Sequence, residues 1–196
     1  MIVGHIFYSI EILRYGKRFM TNLSSGKSKE EDTRNVIDYY KYWKDEAIKA
    51  DLDDKRNNFG ILCVNIHGDF NIGSIIRNAN AFLAKEVIIF GRRKYDKRGT
   101  VGTHNYTSFR HVKEVDELPN IPIIAVDNTP GAANVLTYVF PTTYFLLAFG
   151  EESVGLPQSI LDIAISTIYI PQYGSVRSLN VGVASGIMMH EVCRRI

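Results

Sequence analysis

The sequence predicts an α/β fold, a mainly parallel sheet flanked by helices. Three observations lead there. From Phe59 onward, strand-like and helix-like segments alternate along the chain. The strand candidates are continuous apolar runs, not alternating ones, which means burial on both faces. Polar, glycine-bearing loops follow three of those runs, where open parallel sheets hold their ligands.

The elements are predicted in order. Met1–Met20 opens apolar but contains Glu11, Arg14, Lys17 and Arg18, with no basic leader region or small-residue cleavage site, so it does not read as a signal peptide. Thr21–Thr33 is polar and reads as a linker. Asp32 or Thr33 is positioned to cap a helix through Val36, Tyr40, Trp43 and Ala47, whose apolar stripe would pack on the main domain. After a polar break at Asp51–Asn58, Ile61–Ile66 is a buried strand and Ile72–Leu83 a helix. Val87–Phe90 and Ile121–Val126 are strands, and Ala132–Phe140 has a mixed signal compatible with a short helix. Tyr144–Phe149 is a strand, and Pro157–Ile163 a short helix opened by proline. Thr167–Ile170 is a strand and Ser178–Arg195 the closing helix. Residues 1–58 thus form an extension with one helix, and 59–196 the main domain.

Composition narrows the class. The chain has 196 residues, enough for one domain with an extension. Its net charge of +2 is too small by itself to demand a nucleic-acid partner. Cys63 and Cys193 have neither metal-site spacing nor a disulfide framework, so a reducing, cytoplasmic setting is expected, without a metal. No stretch is long and apolar enough to span a membrane.

Three segments carry chemistry. The first, His67 to Phe82, opens the helix after a strand and holds Asn71, Gly73 and Arg77. An arginine here meets a phosphate or a developing oxyanion; the plain alternative is a solvated helix arginine with Asn71 as an N-cap. The second, Leu146 to Pro157, sets Glu151 and Glu152 between Gly150 and Gly155. It lacks the Gly-Lys-Ser/Thr of a phosphate loop, and two carboxylates oppose phosphate binding. A plain strand-to-helix turn is its alternative reading. The third, Ile170 to Ile187, leaves a strand through a polar glycine loop and enters a helix of small residues, Ala184, Ser185 and Gly186. Ser178 or Asn180 suits its cap.

Together these segments resemble the three motifs of the SpoU (TrmH-type) RNA ribose 2′-O-methyltransferases of the SPOUT superfamily. The first matches at Asn71, Gly73, Arg77, Ala79, Ala81 and Phe82; the second at Gly150, Glu152, Gly155 and Leu156. The third matches at Ile170, Pro171, Gly174, Ser178, Leu179, Asn180, Val181, Val183 and Ala184. Order and distances between motifs also fit, from about Phe59 to the end of the chain. Glu151 stands where the family often has Asn, Ser153 where it often has Gly, and Gly182 where it often has Ser.

The resemblance implies a C-terminal deep trefoil knot, S-adenosylmethionine bound bent within it, and a homodimer with the site at the interface. It implies cofactor contacts around Gly150, Ile170 and Leu179, with Thr129 as a further candidate. It implies methylation of a ribose 2′-hydroxyl in tRNA or rRNA by Arg77, Asn71, Glu152, Ser178 and Asn180. Neutralising an ordinary arginine at pH 7 costs roughly 7.5 kcal/mol, whereas general base catalysis returns about 3–5.5 kcal/mol. Arg77 is therefore expected to stay charged, gripping phosphate and steadying the alkoxide, with Glu152 orienting Arg77 or loop donors. Arg92, Arg93, Lys94, Lys97 and Arg98, followed by Arg110, cluster with Tyr95 and Phe109 and suit RNA contact. The alternative function is a noncatalytic RNA-binding or assembly factor on the same fold. An unrelated nucleotide-binding protein fits poorly, since neither phosphate loop nor dinucleotide fingerprint is present.

Overall fold

The computed structural model describes residues 24–26, 28, 30–66 and 70–196. Met1–Met20 and His67–Asp69 lie outside the described residues. The chain divides into two compact units, with the boundary between Asp51 and Leu52.

In the first unit, the predicted helix through Val36 and Ala47 is replaced by two shorter elements. A single 3-10 turn covers Asp38–Tyr40, and helix α1 begins only at Asp45, running Asp45–Asp53. Between them Tyr42 takes a left-handed φ of 76°, which ends any helix. Asp32 is not a cap. It is 4% exposed and is gripped by the Arg34 guanidinium, whose Nη1 also reaches Asp45. The Arg34 hydrogen bonds outweigh burial and hold the Asp32 carboxyl well below the usual carboxylate range. Within the polar stretch read as a linker, Ser24 pairs antiparallel with Trp43 and Asp32 is buried.

The second unit is a seven-stranded, wholly parallel sheet of order β3-β2-β1-β6-β4-β7-β5. Its strands are β1 (Phe59–Asn65), β2 (Val87–Gly91), β3 (Phe109–Val112), β4 (Ile123–Val126), β5 (Ala133–Asn134), β6 (Phe145–Phe149) and β7 (Ser166–Tyr169). Every residue of β1 and β6 is buried. Side chains alternate between faces, so Phe59, Ile61 and Cys63 enter one core while Leu62 and Val64 enter the other. That is why the runs are continuously apolar.

Among the described residues, three α-helices complete the unit: α2 (Asn71–Ala81), α3 (Gln158–Leu161) and α4 (Val181–Cys193). The small residues of α4 bring it against α2. Asn78 Nδ2 donates to the Gly182 carbonyl at 2.8 Å and to Ser185 Oγ at 2.9 Å. A methyl group on Gly182 would lie 3.0 Å from Ser74 Cβ, closer than an unstrained contact. The two helices flank the same core through Ile72, Ile75, Ile76, Met188, Met189 and Val192.

Two elements differ from expectation. Ala132–Phe140 holds the two-residue strand β5 followed by turns, because Ala133 and Asn134 pair with Ile168 and Tyr169. Strand β3 was not predicted, since Arg110 and His111 break its apolar pattern; it lies at the sheet edge, where polar side chains reach solvent. Among the described residues, no helix is long and apolar enough to cross a membrane.

Candidate active site

Strands β4, β6 and β7 end side by side, and a cavity of about 210 Å3 opens at their carboxyl ends. Its floor is apolar, from Val126, Phe149, Leu156 and Ile170. Its walls bring Asp127, Glu151 and Glu152 to one space, with Gln172, Ser178 and Leu179 from the segment leading to α4.

The wall after β6 is shaped by its glycines. A methyl group on Gly150 would overlap the Gly155 carbonyl, so only glycine lets the chain fold back there. Glu151 and Gly155 then close the turn with reciprocal backbone hydrogen bonds of 3.2 and 2.8 Å. Gly155 itself has φ of 70°. Glu151 is 4% exposed, and its carboxylate accepts the Ile66 amide. Glu152, at the exposed tip, faces the other two segments.

There the three segments meet. Asn71 Nδ2 donates to Glu152 Oε2 at 2.6 Å. Asn180 Nδ2 donates to Asn71 Oδ1 at 2.9 Å and to Glu152 Oε2 at 3.2 Å. Asn180 also caps α4, its Oδ1 accepting from the Gly182 and Val183 amides at 3.0 and 3.3 Å. One residue thereby starts the closing helix and ties it to α2 and to the β6 loop. Asn71 is the first residue of α2; its side chain is spent on this cluster, and it is not the cap.

Of the other residues named from sequence, Gly150, Ile170, Ser178 and Leu179 line the cavity. Thr129 does not; its carbonyl closes a turn with the Ala132 amide, while its neighbours Asp127 and Asn128 line the cavity. Asn128 Nδ2 also holds the Arg177 carbonyl at 3.0 Å, steadying the loop before α4. Asp127 and Asn128 follow β4 directly, and the rule that ligands sit beyond strand ends points to them. Gln172 was missed too; its Oε1 is buried with no hydrogen-bond partner among the described residues. Arg77 is exposed on α2 and its side chain makes no hydrogen bond or ion pair among the described residues, so Glu152 does not hold it here.

Arg92, Arg93, Lys94, Lys97 and Arg98 are all exposed after β2. Arg98 is paired with Asp96 at 2.6 Å, and Arg110 on β3 with Glu86 at 2.6 Å. His104 Nδ1 lies 2.7 Å from Thr100 Oγ1; partial burial and the nearby Lys97 charge lower its pKa, which favours the neutral ring at pH 7. Among the described residues, no cluster of three His, Cys, Asp or Glu side chains is arranged to hold a metal.

The SpoU rRNA Methylase family profile matches residues 58–190. A putative TrmH family tRNA/rRNA methyltransferase of Bacillus subtilis, YacO, is 25% identical over 160 residues, covering 77% of this chain and 64% of the relative. The chain therefore spans just under two thirds of the length of that curated relative. The TrmH/SpoU tRNA modifying enzyme of A. aeolicus superposes with a TM-score of 0.66 at 27% identity, covering 77% of this chain and 83% of that one. The SpoU methyltransferase AviRb of Streptomyces viridochromogenes, solved in complex with AdoMet, superposes with a TM-score of 0.62 at 29% identity, covering 71% of this chain and 58% of that one.

Proposed function

Because this chain belongs to the SpoU rRNA methylase family, we propose that it transfers a methyl group from S-adenosylmethionine to a ribose 2′-hydroxyl of tRNA or rRNA. The observation that carries this reading is the Asn71–Glu152–Asn180 cluster, which joins all three motif segments at the mouth of the strand-end cavity.

The residues present fit the cofactor. A cavity walled by Asp127, Glu151 and Glu152 favours a cation and repels phosphate, which suits a sulfonium with an ammonium and disfavours a nucleotide. The buried, unpartnered Gln172 Oε1 offers an acceptor to a ligand N–H. Gly150, Ile170 and Leu179 would hold the cofactor, with Asp127 and Asn128 beside them, while Thr129 is not in the cavity lining. When bound, it supplies an electrophilic methyl carbon on a positively charged sulfur.

The chain's own residues then have two tasks. Asn71, Glu152 and Asn180 keep the β6 loop and the start of α4 in one geometry, and such alignment supplies several kcal/mol. Ser178, at the cavity wall, positions the hydroxyl. Arg77 stays charged, holds the substrate phosphate and stabilises the alkoxide, while phosphate or solvent takes the proton.

In keeping with the resemblance, the segment 170–180 forms part of a trefoil knot, and a second copy of the chain completes the site. Support for the dimer comes from the exposed apolar residues Phe70, Val154, Val176 and Val183, at 72%, 56%, 61% and 54% exposure, on the three site segments. The basic residues Arg92, Arg93, Lys94 and Lys97 face RNA, with Arg98 and Arg110 as paired neighbours.

The test is incubation with methyl-labelled S-adenosylmethionine and total RNA, followed by alkaline hydrolysis. Alkali-resistant label in one RNA size class is expected, and that class identifies the substrate. Cofactor binding without any label in RNA, or no cofactor binding at all, would sink the reading.

A further inference from the structure

The basic segment after β2 is built into the fold at both ends. At its start, Asn65 is fully buried at the end of β1. Both protons of its amide are used on the segment: Nδ2 donates to the Arg92 carbonyl at 2.5 Å and to the Lys94 carbonyl at 3.0 Å. The Arg92 amide returns a 2.6 Å bond to the Asn65 carbonyl. Gly91 makes the wrap possible: it has φ of 94°, and a methyl group on it would lie 2.7 Å from the Asn65 carbonyl oxygen. The chain therefore curls round one buried amide with its carbonyls inward, and the side chains of Arg92, Arg93 and Lys94 are exposed.

The far end is pinned as closely. A methyl group on Gly73 would lie 2.8 Å from Gly99 Cα and 3.1 Å from the Asp96 carbonyl, so the segment rests backbone to backbone on the first turn of α2. Between the two ends, Tyr95 is half-buried against the core and packs on the Phe109 ring at 6.5 Å. A loop that merely kept charge in solvent would need none of this.

We propose that Asn65 is a positioning residue for the RNA substrate: by holding the Arg92 and Lys94 carbonyls, it fixes the cationic side chains in register with Asn71 and Arg77 on α2. This rests on the methyltransferase reading above. Asn65 touches neither substrate nor cofactor in this role. It turns the exposed cations of this segment into a preset phosphate-binding row, which lowers the ordering cost of binding. Arg98 and Arg110 contribute less than Arg93 and Lys94, because Asp96 and Glu86 already pair them.

The experiment uses the full chain and measures binding of tRNA and rRNA fragments across a salt series, beside calorimetric binding of S-adenosylmethionine. In Asn65→Ala, the RNA dissociation constant should rise roughly tenfold, with the salt slope smaller by about 0.7 for each single-strand phosphate no longer neutralised. Cofactor affinity should stay within about twofold. Asn65→Ser, which keeps one donor, should fall between. In a background of Arg92→Ala, Arg93→Ala and Lys94→Ala, Asn65→Ala should add almost nothing, since its effect passes through those side chains. If Asn65→Ala does not fold, Gly99→Ala tests the other anchor, with the same split expected between RNA and cofactor. Unchanged RNA affinity in folded variants, additive effects in the cycle, or an equal fall in cofactor affinity would each overturn the proposal. Failure of the unaltered chain to bind RNA would instead overturn the reading on which it rests.

Discussion

Asn180 does two jobs, and substitution can separate them. Its Oδ1 caps α4 and its Nδ2 binds Asn71 and Glu152. Asn180→Ala removes both; the lost cap alone costs about 1 kcal/mol. Asn180→Asp keeps an equally good cap and adds a favourable charge at the helix start, worth about 0.3–1 kcal/mol. It also sets a carboxylate where Nδ2 lay 3.2 Å from Glu152 Oε2. Like charges at that distance repel by about 1 kcal/mol in solvent-like surroundings, which suit these exposed side chains. The gain and the repulsion nearly cancel, which leaves the loss of the two Nδ2 hydrogen bonds, about 1–3 kcal/mol together, a loss that Asn180→Ala shares. Asn180→Asp should therefore melt below the unaltered chain by about that amount, and above Asn180→Ala, which also loses the cap. Methyl transfer should nevertheless fall roughly a hundredfold, as expected when a reacting group is displaced by about 1 Å. Calorimetric melting and single-turnover methylation of RNA measure the two effects. An aspartate variant that melted as low as the alanine variant would refute the capping argument. One that methylated at the full rate would refute the role of the cluster.

Four further outcomes are expected. Gly182→Ala should destabilise by about 1–3 kcal/mol in urea unfolding, because its methyl group would press on Ser74 Cβ; Ser74→Gly should restore much of that. Burial disfavours the charged form of Glu86, but hydrogen bonds from Arg110 and Tyr144 prevail and hold its pKa below the ordinary 4.5. A lowered folded-state pKa means that this stabilisation is complete above pH 4.5 and is lost as pH falls through the folded value; Glu86→Gln should thus cost about 1–2 kcal/mol at pH 7 and progressively less in acid melts. Arg93→Ala should weaken RNA binding and flatten its salt dependence more than Arg98→Ala, since Asp96 already neutralises Arg98. Arg77→Lys keeps the charge but loses the planar fork, so the rate should drop with an unshifted pH profile; near-full rate with an alkaline-shifted profile would refute the fixed-charge role.

The sheet was legible because burial on both faces leaves a run with no polar break, as in Phe145–Phe149. β3 was not, because an edge strand tolerates Arg110 and His111, and the partner of Arg110, Glu86, lies 24 residues away. The helix read through Val36 and Ala47 had the right spacing, yet nothing local shows that Arg34 binds both Asp32 and Asp45 and leaves Tyr42 to turn the chain. At the site, Asn71, Glu152 and Asn180 stood out singly through their motifs. Their mutual hydrogen bonds span separations of 81, 109 and 28 residues, and a local pattern holds no record of such distances. Asn65 left still less trace: within an apolar strand it reads as one tolerated polar residue, and only the fold shows what its amide holds.

A net charge of +2 conceals a separation of charge along the sheet. The order β2-β1-β6-β4 places the cationic segment beyond β2 and the carboxylate-walled cavity beyond β6 and β4, with α2 entering after β1 between them. Strands lie about 4.8 Å apart, so β2 and β6 end about 10 Å from each other. Physiological salt screens exposed charges over about 8 Å. The two fields therefore keep their own signs, the cavity attracting a cation while the outer segment attracts phosphate. On the proposed reaction this division also has a direction. Transfer of the methyl group removes the sulfonium charge, so the carboxylate wall holds the spent cofactor less firmly than the fresh one. The RNA, held by cations on the other side of α2, gains no such push, and its release depends on the segment that Asn65 keeps in place.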